Sequence, residues 1–251
     1  MRQDGNEKTV SSKTITHKDV KKRLTELGDA QDAAVLQRYF KTGPGEYGAG
    51  DRFRGIRVPV MRGVVKEFRG LPLEECTRLL QSPWHEDRLV ALLLWVHKFE
   101  REAELREEIF NLYLANTARI NNWDLVDCSA PHIVGAWLLD KDRSVLDRLA
   151  DSSSLWERRI AIIATQHFIG QGQFDDTLRL SGRLLGDRED LMHKAAGWML
   201  REVGKRDLAR LTAFLCEHQR SMPRTMLRYA IEHFDKAQRE HYLSMKKASD
   251  K

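Results

Sequence analysis

Apolar residues recur along this chain at intervals of three and four, and this spacing constrains its fold more than any other feature. The spacing matches the helical period of about 3.6 residues, whereas a half-buried strand would alternate with a period of about two. No convincing pair of alternating strands interrupts it. We therefore predict an all-α protein, with helices in Val58–Phe68, Leu89–Phe99, Leu105–Leu114, Trp123–Leu139, Leu155–Phe168, Leu178–Leu185, Leu191–Val203, Leu208–Leu215 and Met226–Phe234.

Pairs of helices, each with one apolar and one more charged member, recur about every 35–40 residues. This period matches HEAT-type repeats, which stack into an α-α superhelix, or solenoid, with a concave binding face. An irregular helical bundle is the alternative fold. The predicted pairs are Ser82–Ala115, Asn122–Ala150, Ser154–Leu185 and Glu189–His218.

We expect a single domain over residues 17–245, with polar tails at residues 1–16 and 246–251. The segment Lys41–Gly55 contains five glycines and a proline, and is predicted to be a loop. The longest apolar run, Leu89–Val96, is shorter than the roughly 18–20 residues that span a bilayer. Because residues 1–16 lack the apolar core of a secretory signal, we expect a cytoplasmic protein.

Most enzyme signatures are missing from the sequence. There is no Walker, HExxH or GxSxG motif. The nine histidines and three cysteines are scattered, without the paired spacing of metal ligands. We therefore expect neither a metal nor another cofactor.

The positive charge of the chain is unevenly distributed. The net charge is +5, and residues 51–70 contain six basic side chains against two acidic ones. This distribution is compatible with a nucleic-acid partner, although many basic proteins bind none. The candidates for phosphate contacts, each of which could instead lie on a solvated helix face, are Arg52, Arg54, Arg57, Arg62, Arg158, Arg159, Lys194, Arg201, Lys205 and Arg206.

The remaining unusual feature of the sequence is that several tryptophans stand close to charged residues. In the segment NNWDLVD, either Asn121 or Asn122 can cap a helix. Trp123 and Asp127 are then four residues apart on one helix face, whereas Asp124 points elsewhere. The same spacing also fits a tryptophan packed in the core and an aspartate that caps a helix or pairs with an arginine.

Two other segments combine tryptophan with charge. LWERRIA places Trp156 and Arg159 three residues apart on a helix. KAAGWMLRE sets Trp198 beside Gly197, where the missing side chain lets another surface approach closely. The alternative for Trp198 is helix packing, with a tight crossing at Gly197.

In this order and spacing, the three segments are similar to motifs of the AlkD-like DNA alkylation-repair glycosylases, all-helical proteins of HEAT-like repeats. The resemblance extends from about Ala33 to Phe234. It implies that Asp127 is the catalytic carboxylate and that Trp123 and Trp198 contact the sugar.

The same resemblance implies the DNA-binding residues and the reaction. Arg159 matches the arginine that contacts DNA near the lesion, and Tyr39 a tyrosine near the N-terminus. The implied enzyme is a monofunctional glycosylase, a hydrolase of base excision repair. It removes purines alkylated at N3 or N7 from double-stranded DNA, without flipping the lesion out of the helix. With the charged candidates, the expected DNA-binding set is Arg159, Arg158, Lys194, Arg201, Lys205, Arg57 and Tyr39.

The residue types suit this reaction. An alkylated purine is cationic and leaves easily, so no strong general acid is needed. Its departure leaves an oxocarbenium-like sugar, which an anion at Asp127 would stabilise more than the ground state. Two other functions stay open, a catalytically silent DNA-binding protein and a protein-interaction scaffold. A monomer is the expected state of a solenoid that wraps DNA.

Overall fold

Helices occupy most of residues 14–244, which are the residues that the computed structural model describes. The α-helices are α1 His17–Glu26, α2 Ala30–Tyr39, α3 Val58–Glu67, α4 Leu73–Leu80, α5 His85–Arg101, α6 Arg106–Ala115, α7 Trp123–Asp127, α8 Ala136–Leu138, α9 Ser144–Ala150, α10 Leu155–Gly170, α11 Asp175–Arg183, α12 Asp190–Gly204, α13 Leu208–His218, α14 Arg224–Ala230 and α15 Lys236–Ser244. Between residues 14 and 244 the extended backbone forms only an isolated bridge between Arg52 and Trp84, and no strand. The all-α prediction is confirmed. The tail predictions for residues 1–13 and 246–251 lie outside the described residues.

The helices pack in chain order, as a stack of pairs. One row runs from α5 through α7 to α10, α12 and α14, and each member contacts the next. The second row includes α4, α9, α11 and α13, which pack against members of the first row. The buried apolar side chains of both rows form one continuous core. This order confirms the predicted stacking of helix pairs. Each helix within residues 14–244 is too short or too polar to span a lipid bilayer.

The single helix predicted over Trp123–Leu139 is wrong. Helix α7 ends at Asp127, and the chain turns before a π-helical segment, Pro131–Gly135, which continues into α8. Pro131 has no backbone N–H and cannot extend a helix that arrives from α7. The five residues of α7 are too few to be stable alone, so tertiary contacts must set its orientation.

Helix α5 begins earlier than its apolar pattern predicted, with four charged or titratable residues that are all buried, His85 to Arg88. The Glu86 carboxylate accepts the backbone N–H groups of Arg54, Gly55 and Ile56 at 2.9 to 3.2 Å. Gly55 has a φ of +84°, and a Cβ there would lie 1.9 Å from the Asp29 carbonyl oxygen. The start of α5 therefore fixes the end of the glycine-rich loop against α2.

Candidate functional site

Asn122 is the cap of α7, which resolves the choice between the two asparagines. Its side-chain oxygen accepts the N–H of Trp123 at 2.8 Å, and its amide nitrogen donates to Asp51 at 3.3 Å. Asn122 is fully buried, as are Leu125 and Val126 on the core side of the helix. Trp123 and Asp127, by contrast, are only partly buried and contact other elements of the chain.

Asp127 forms a two-pronged ion pair with Arg159 of α10. Arg159 donates Nε–H to one carboxylate oxygen at 2.8 Å and Nη2–H to the other at 2.7 Å. The side chains of Asp127 and Arg159 are 17% and 6% exposed, so the pair is largely withdrawn from water. Burial raises the pKa of Asp127, and the guanidinium of Arg159 offsets part of this rise. The aspartate thus pairs with an arginine, as one reading of the sequence allowed.

Arg159 is held at a third point. Its Nη1 donates to the carbonyl oxygen of Leu191, in α12, at 2.8 Å. A guanidinium has five N–H donors, so these three bonds leave two for another acceptor. Arg159 can therefore fix the Asp127 carboxylate and still offer donors to the groove beside it.

The indole of Trp123 lies among aromatic side chains. It stacks on Phe40, with ring centroids 5.2 Å apart, and meets the edge of Tyr39 at 6.2 Å. Tyr47, in the glycine-rich loop, lines the same groove and donates its hydroxyl to the carbonyl oxygen of Tyr39 at 3.5 Å. Burial raises the pKa of Tyr47, so the phenol stays neutral at ordinary pH.

The indole of Trp198 is fixed by its own helix and by α14. Its Nε1–H donates to the Glu202 carboxylate at 3.2 Å, one helical turn away. Beside it, a Cβ on Gly197 would lie 2.5 Å from the Met226 carbonyl oxygen, so α12 and α14 cross closely here. This tight crossing of two helices at Gly197 is the alternative that the sequence allowed.

These elements enclose a groove of about 380 Å³. Aromatic and cationic side chains dominate its walls, a combination that suits a nucleic acid, which offers phosphates to cations and flat faces to aromatic rings. The groove brings together six of the residues that the sequence singled out, and Asp127, which is not part of its lining, is bound to Arg159. The lining residues are Tyr39, Tyr47, Trp123, Arg159, Leu191, Lys194, Trp198, Arg201 and Tyr229.

The model of the DNA alkylation repair enzyme family matches residues 20–234. The chain belongs to this family. A solved structure described as a predicted DNA alkylation repair enzyme from Enterococcus faecalis has a similar fold, with a TM-score of 0.65. Its sequence is 19% identical, and the match covers 83% of this chain and 97% of that one. No curated protein matches the chain. Family membership supports a role in DNA alkylation repair, with DNA as the substrate.

Three members of the expected DNA-binding set do not line the groove. Arg158 donates to Asp187 at 2.7 Å and to the carbonyl oxygens of Ser152 and Ser153. Lys205 lies 2.7 Å from Glu202, and the exposed side chain of Arg57 pairs with Asp32. Among the wider candidates, Arg54 is bound to the buried Asp87. The contacts of Arg158 and Arg54 tie helices and loops together.

A buried histidine bridges two carboxylates beside the groove. His85 Nε2 lies 2.8 Å from Asp124, and Nδ1 lies 3.1 Å from Asp51, which also pairs with Arg88. Burial alone would lower the pKa of His85, but Asp124 and Asp51 outweigh it and raise the pKa to about 9. His85 is therefore an imidazolium at neutral pH. It ties Asp124, the aspartate of α7 that faces away from Asp127, to α5.

The sequence reasoning missed Tyr47, Glu202, His85 and Asp51. Glu202 could have been found, because it lies four residues after Trp198 on one helix face. His85 bonds to carboxylates at least 34 residues away, one of them Asp51, and the ring of Tyr47 meets Trp156 in a distant helix, so no local spacing identifies these contacts. Over residues 14–244, no group of three or more His, Cys, Asp or Glu side chains could hold a metal ion.

Proposed function

We propose that this protein is a DNA glycosylase that hydrolyses the N-glycosidic bond of purines alkylated at N3 or N7 in duplex DNA. One observation carries the proposal. A largely buried carboxylate, Asp127, is fixed by Arg159 beside a groove whose walls include Trp123 and Trp198. The lesion, the reaction and the roles of these residues go beyond what family membership gives.

Asp127 supplies the charge that the reaction needs. As the cationic base leaves, positive charge develops on the sugar, and a fixed anion nearby stabilises the transition state more than the ground state. The carboxylate also accepts a proton from the attacking water. Arg159 holds the carboxylate in place, and its two remaining N–H groups bind a phosphate next to the lesion.

Trp123 and Trp198 stabilise the same sugar through their ring faces. A cation over an indole gains roughly 0.5–2 kcal/mol, and more where water is excluded. The two residues lie on α7 and α12, so their side chains enter the groove from different helices. We expect them to flank the sugar while the base stays stacked in the duplex. Selectivity then comes from the weakness of the cationic glycosidic bond, and no cofactor takes part.

The test is release of free base. Duplex DNA treated with a methylating agent is incubated with the protein, and 3-methyladenine and 7-methylguanine are measured in the soluble fraction. We expect both bases to be released, with undamaged DNA as the control. Binding of the duplex without release would instead indicate a silent DNA-binding protein. Neither binding nor release would indicate a protein-interaction scaffold.

Salt dependence provides a separate prediction about the groove. If about five cationic side chains neutralise phosphates, the log–log slope of DNA affinity against salt should be near −4.5. Lys194 lines the groove and pairs with Asp190 on the exposed side of α12. We expect Lys194→Gln to reduce the slope by about one. The matched control is Lys141→Gln, because the ammonium of Lys141 lies over the Trp137 ring, outside the groove. An affinity independent of salt would contradict binding through phosphates.

A further inference from the structure

Three hydrogen-bond donors converge on the Glu202 carboxylate, next to the groove. Its Oε1 accepts the indole N–H of Trp198 at 3.2 Å, an Nη2–H of Arg201 at 3.4 Å and the ammonium of Lys205 at 2.7 Å. The side chain of Glu202 is only 14% exposed. Glu202 does not line the groove, but Trp198 and Arg201 do. A carboxylate outside the groove thus bonds to two side chains of its wall.

Glu202 is ionised at neutral pH. Burial alone would raise its pKa, but the hydrogen bond and the charge of Lys205, together with the charge of Arg201, outweigh burial and lower the pKa. Trp198 and Glu202 are four residues apart in α12 and share one helix face. The indole N–H therefore donates to an anion, and such charge-assisted bonds are roughly twice as strong as neutral ones.

We propose that Glu202 is a positioning residue, whose negative charge holds the indole of Trp198 toward the sugar and makes the faces of its ring more electron-rich. The inference rests on the proposed glycosylase function and adds a second carboxylate to its reaction centre. In that function Asp127 stabilises the developing charge directly, whereas Glu202 acts on it through an aromatic ring.

The charge of Glu202 should matter to the rate of the reaction. An indole attracts a cation through the negative faces of its ring, and the attraction depends on where the cation lies over the ring. An anion at the N–H edge polarises the ring and increases the negative charge of its faces. The positive charge on the sugar develops only in the transition state. Loss of the anion should therefore lower kcat.

The same charge should have the opposite effect on DNA binding. DNA is a polyanion, and Glu202 is an anion next to the groove that also pairs with the cations of Arg201 and Lys205. Removing the charge should tighten binding about twofold, the size of one charge–charge interaction in water at about 10 Å. The salt dependence of the affinity should also become steeper. General damage to the fold would instead weaken binding and slow the reaction together.

Glu202→Gln is the test, because it keeps the length of the side chain and an oxygen for the indole N–H but has no charge. We expect kcat for base release to fall about three- to tenfold, while the Kd for methylated duplex falls about twofold. The matched control is Glu232→Gln, which removes a charge from another partner of Arg201. It should tighten binding in the same way and keep the kcat of the unmodified protein. Equal losses of kcat in the two variants, or weaker binding by Glu202→Gln, would overturn the proposal.

A double-mutant cycle tests whether Glu202 acts through the indole. Trp198→Phe keeps a ring in the groove but has no N–H to donate. In the Trp198→Phe background, Glu202→Gln should change kcat by less than about twofold. Effects of the two substitutions that multiply would mean that Glu202 acts by another route, and would overturn the proposal.

The indole N–H signal of Trp198 tests the inference without a measurement of activity. The chain has six tryptophans, and Trp198→Phe identifies the signal of Trp198 in an indole-labelled sample. In Glu202→Gln this signal should move upfield and exchange faster with solvent, because a neutral acceptor holds the proton less strongly. In Glu232→Gln it should stay in place. An unmoved signal in Glu202→Gln would refute the inference even if the protein releases alkylated bases. A moved signal in a protein that releases no base would refute the glycosylase function alone.

Discussion

Replacing Asp127 with asparagine should lower the rate of alkylbase release by about 10²- to 10³-fold, the range found when one electrostatic stabiliser of a transition state is removed. Asparagine keeps the shape and one oxygen for Arg159, but it has no negative charge to face the developing oxocarbenium. The measurement is single-turnover release of 7-methylguanine from methylated duplex. We expect DNA affinity to change little, because Asp127 is not among the side chains that line the groove.

Two controls accompany this prediction. Asp140→Asn removes the same charge from an exposed aspartate after α8 and should leave the rate unchanged. Thermal unfolding of Asp127→Asn shows whether the variant is still folded, since Arg159 loses part of its pairing. A folded variant that kept more than about a tenth of the rate would exclude the role that we give to Asp127.

Replacing His85 with leucine should be the most destabilising change near the groove. The substitution leaves Asp124 and the buried Asp51 without the imidazolium between them. Removing one partner from a buried ion network costs about 3–5 kcal/mol. Asp51 keeps Arg88 and Asn122, so we expect the lower end of that range, measured as the free energy of unfolding in urea at neutral pH. His132→Leu is the control, at a histidine that is 52% exposed, and should cost less than about 0.5 kcal/mol.

The same histidine makes stability depend on pH in a defined direction. The pKa of His85 rises from 6.5 in the unfolded chain to about 9 in the folded protein, so the folded state binds the proton more tightly. Its contribution is complete below pH 6.5 and is lost as the pH rises through 9. A shift of this size corresponds to about 3 kcal/mol. The free energy of unfolding should therefore fall over this window in the unmodified protein, and fall less in His85→Leu. Parallel curves would contradict an imidazolium at His85.

The sequence predicted the helices well where one helix face is apolar. It failed after α7, where the helix ends although the apolar spacing continues. Helices α10 and α12 follow the predicted Leu155–Phe168 and Leu191–Val203 to within two residues at each end. The predicted helix over Trp123–Leu139 failed because its apolar residues continue with helical spacing through Pro131. The spacing of apolar residues indicates which side chains are buried. Because the side chains on both sides of the break are buried, the spacing alone could not show where α7 ends.

The candidate site was predicted in part, for a similar reason. Trp123 and Asp127 share the short helix α7, as their spacing of four residues indicated. The partner of Asp127 could be anticipated only as some arginine, because Arg159 is 32 residues away. Tyr47 and Asp51 were not anticipated at all. They lie in a loop that has no periodicity, and their partners are set by how the loop folds back on α5 and α7.

Arg159 gives this stack of helices a property that arrays of repeats usually lack. In such arrays each unit contacts only its neighbours, and a unit at one end can open without affecting the rest. Arg159 stands on α10 and bonds simultaneously to Asp127 of α7 and to the Leu191 carbonyl of α12. Fraying of the C-terminal pairs as far as α12 would release one of the three points that hold the guanidinium, and with it the carboxylate. The geometry of the site therefore depends on three successive helices of the first row, α7, α10 and α12. Unfolding at the C-terminal end of the stack would change the position of the Asp127 carboxylate near its centre.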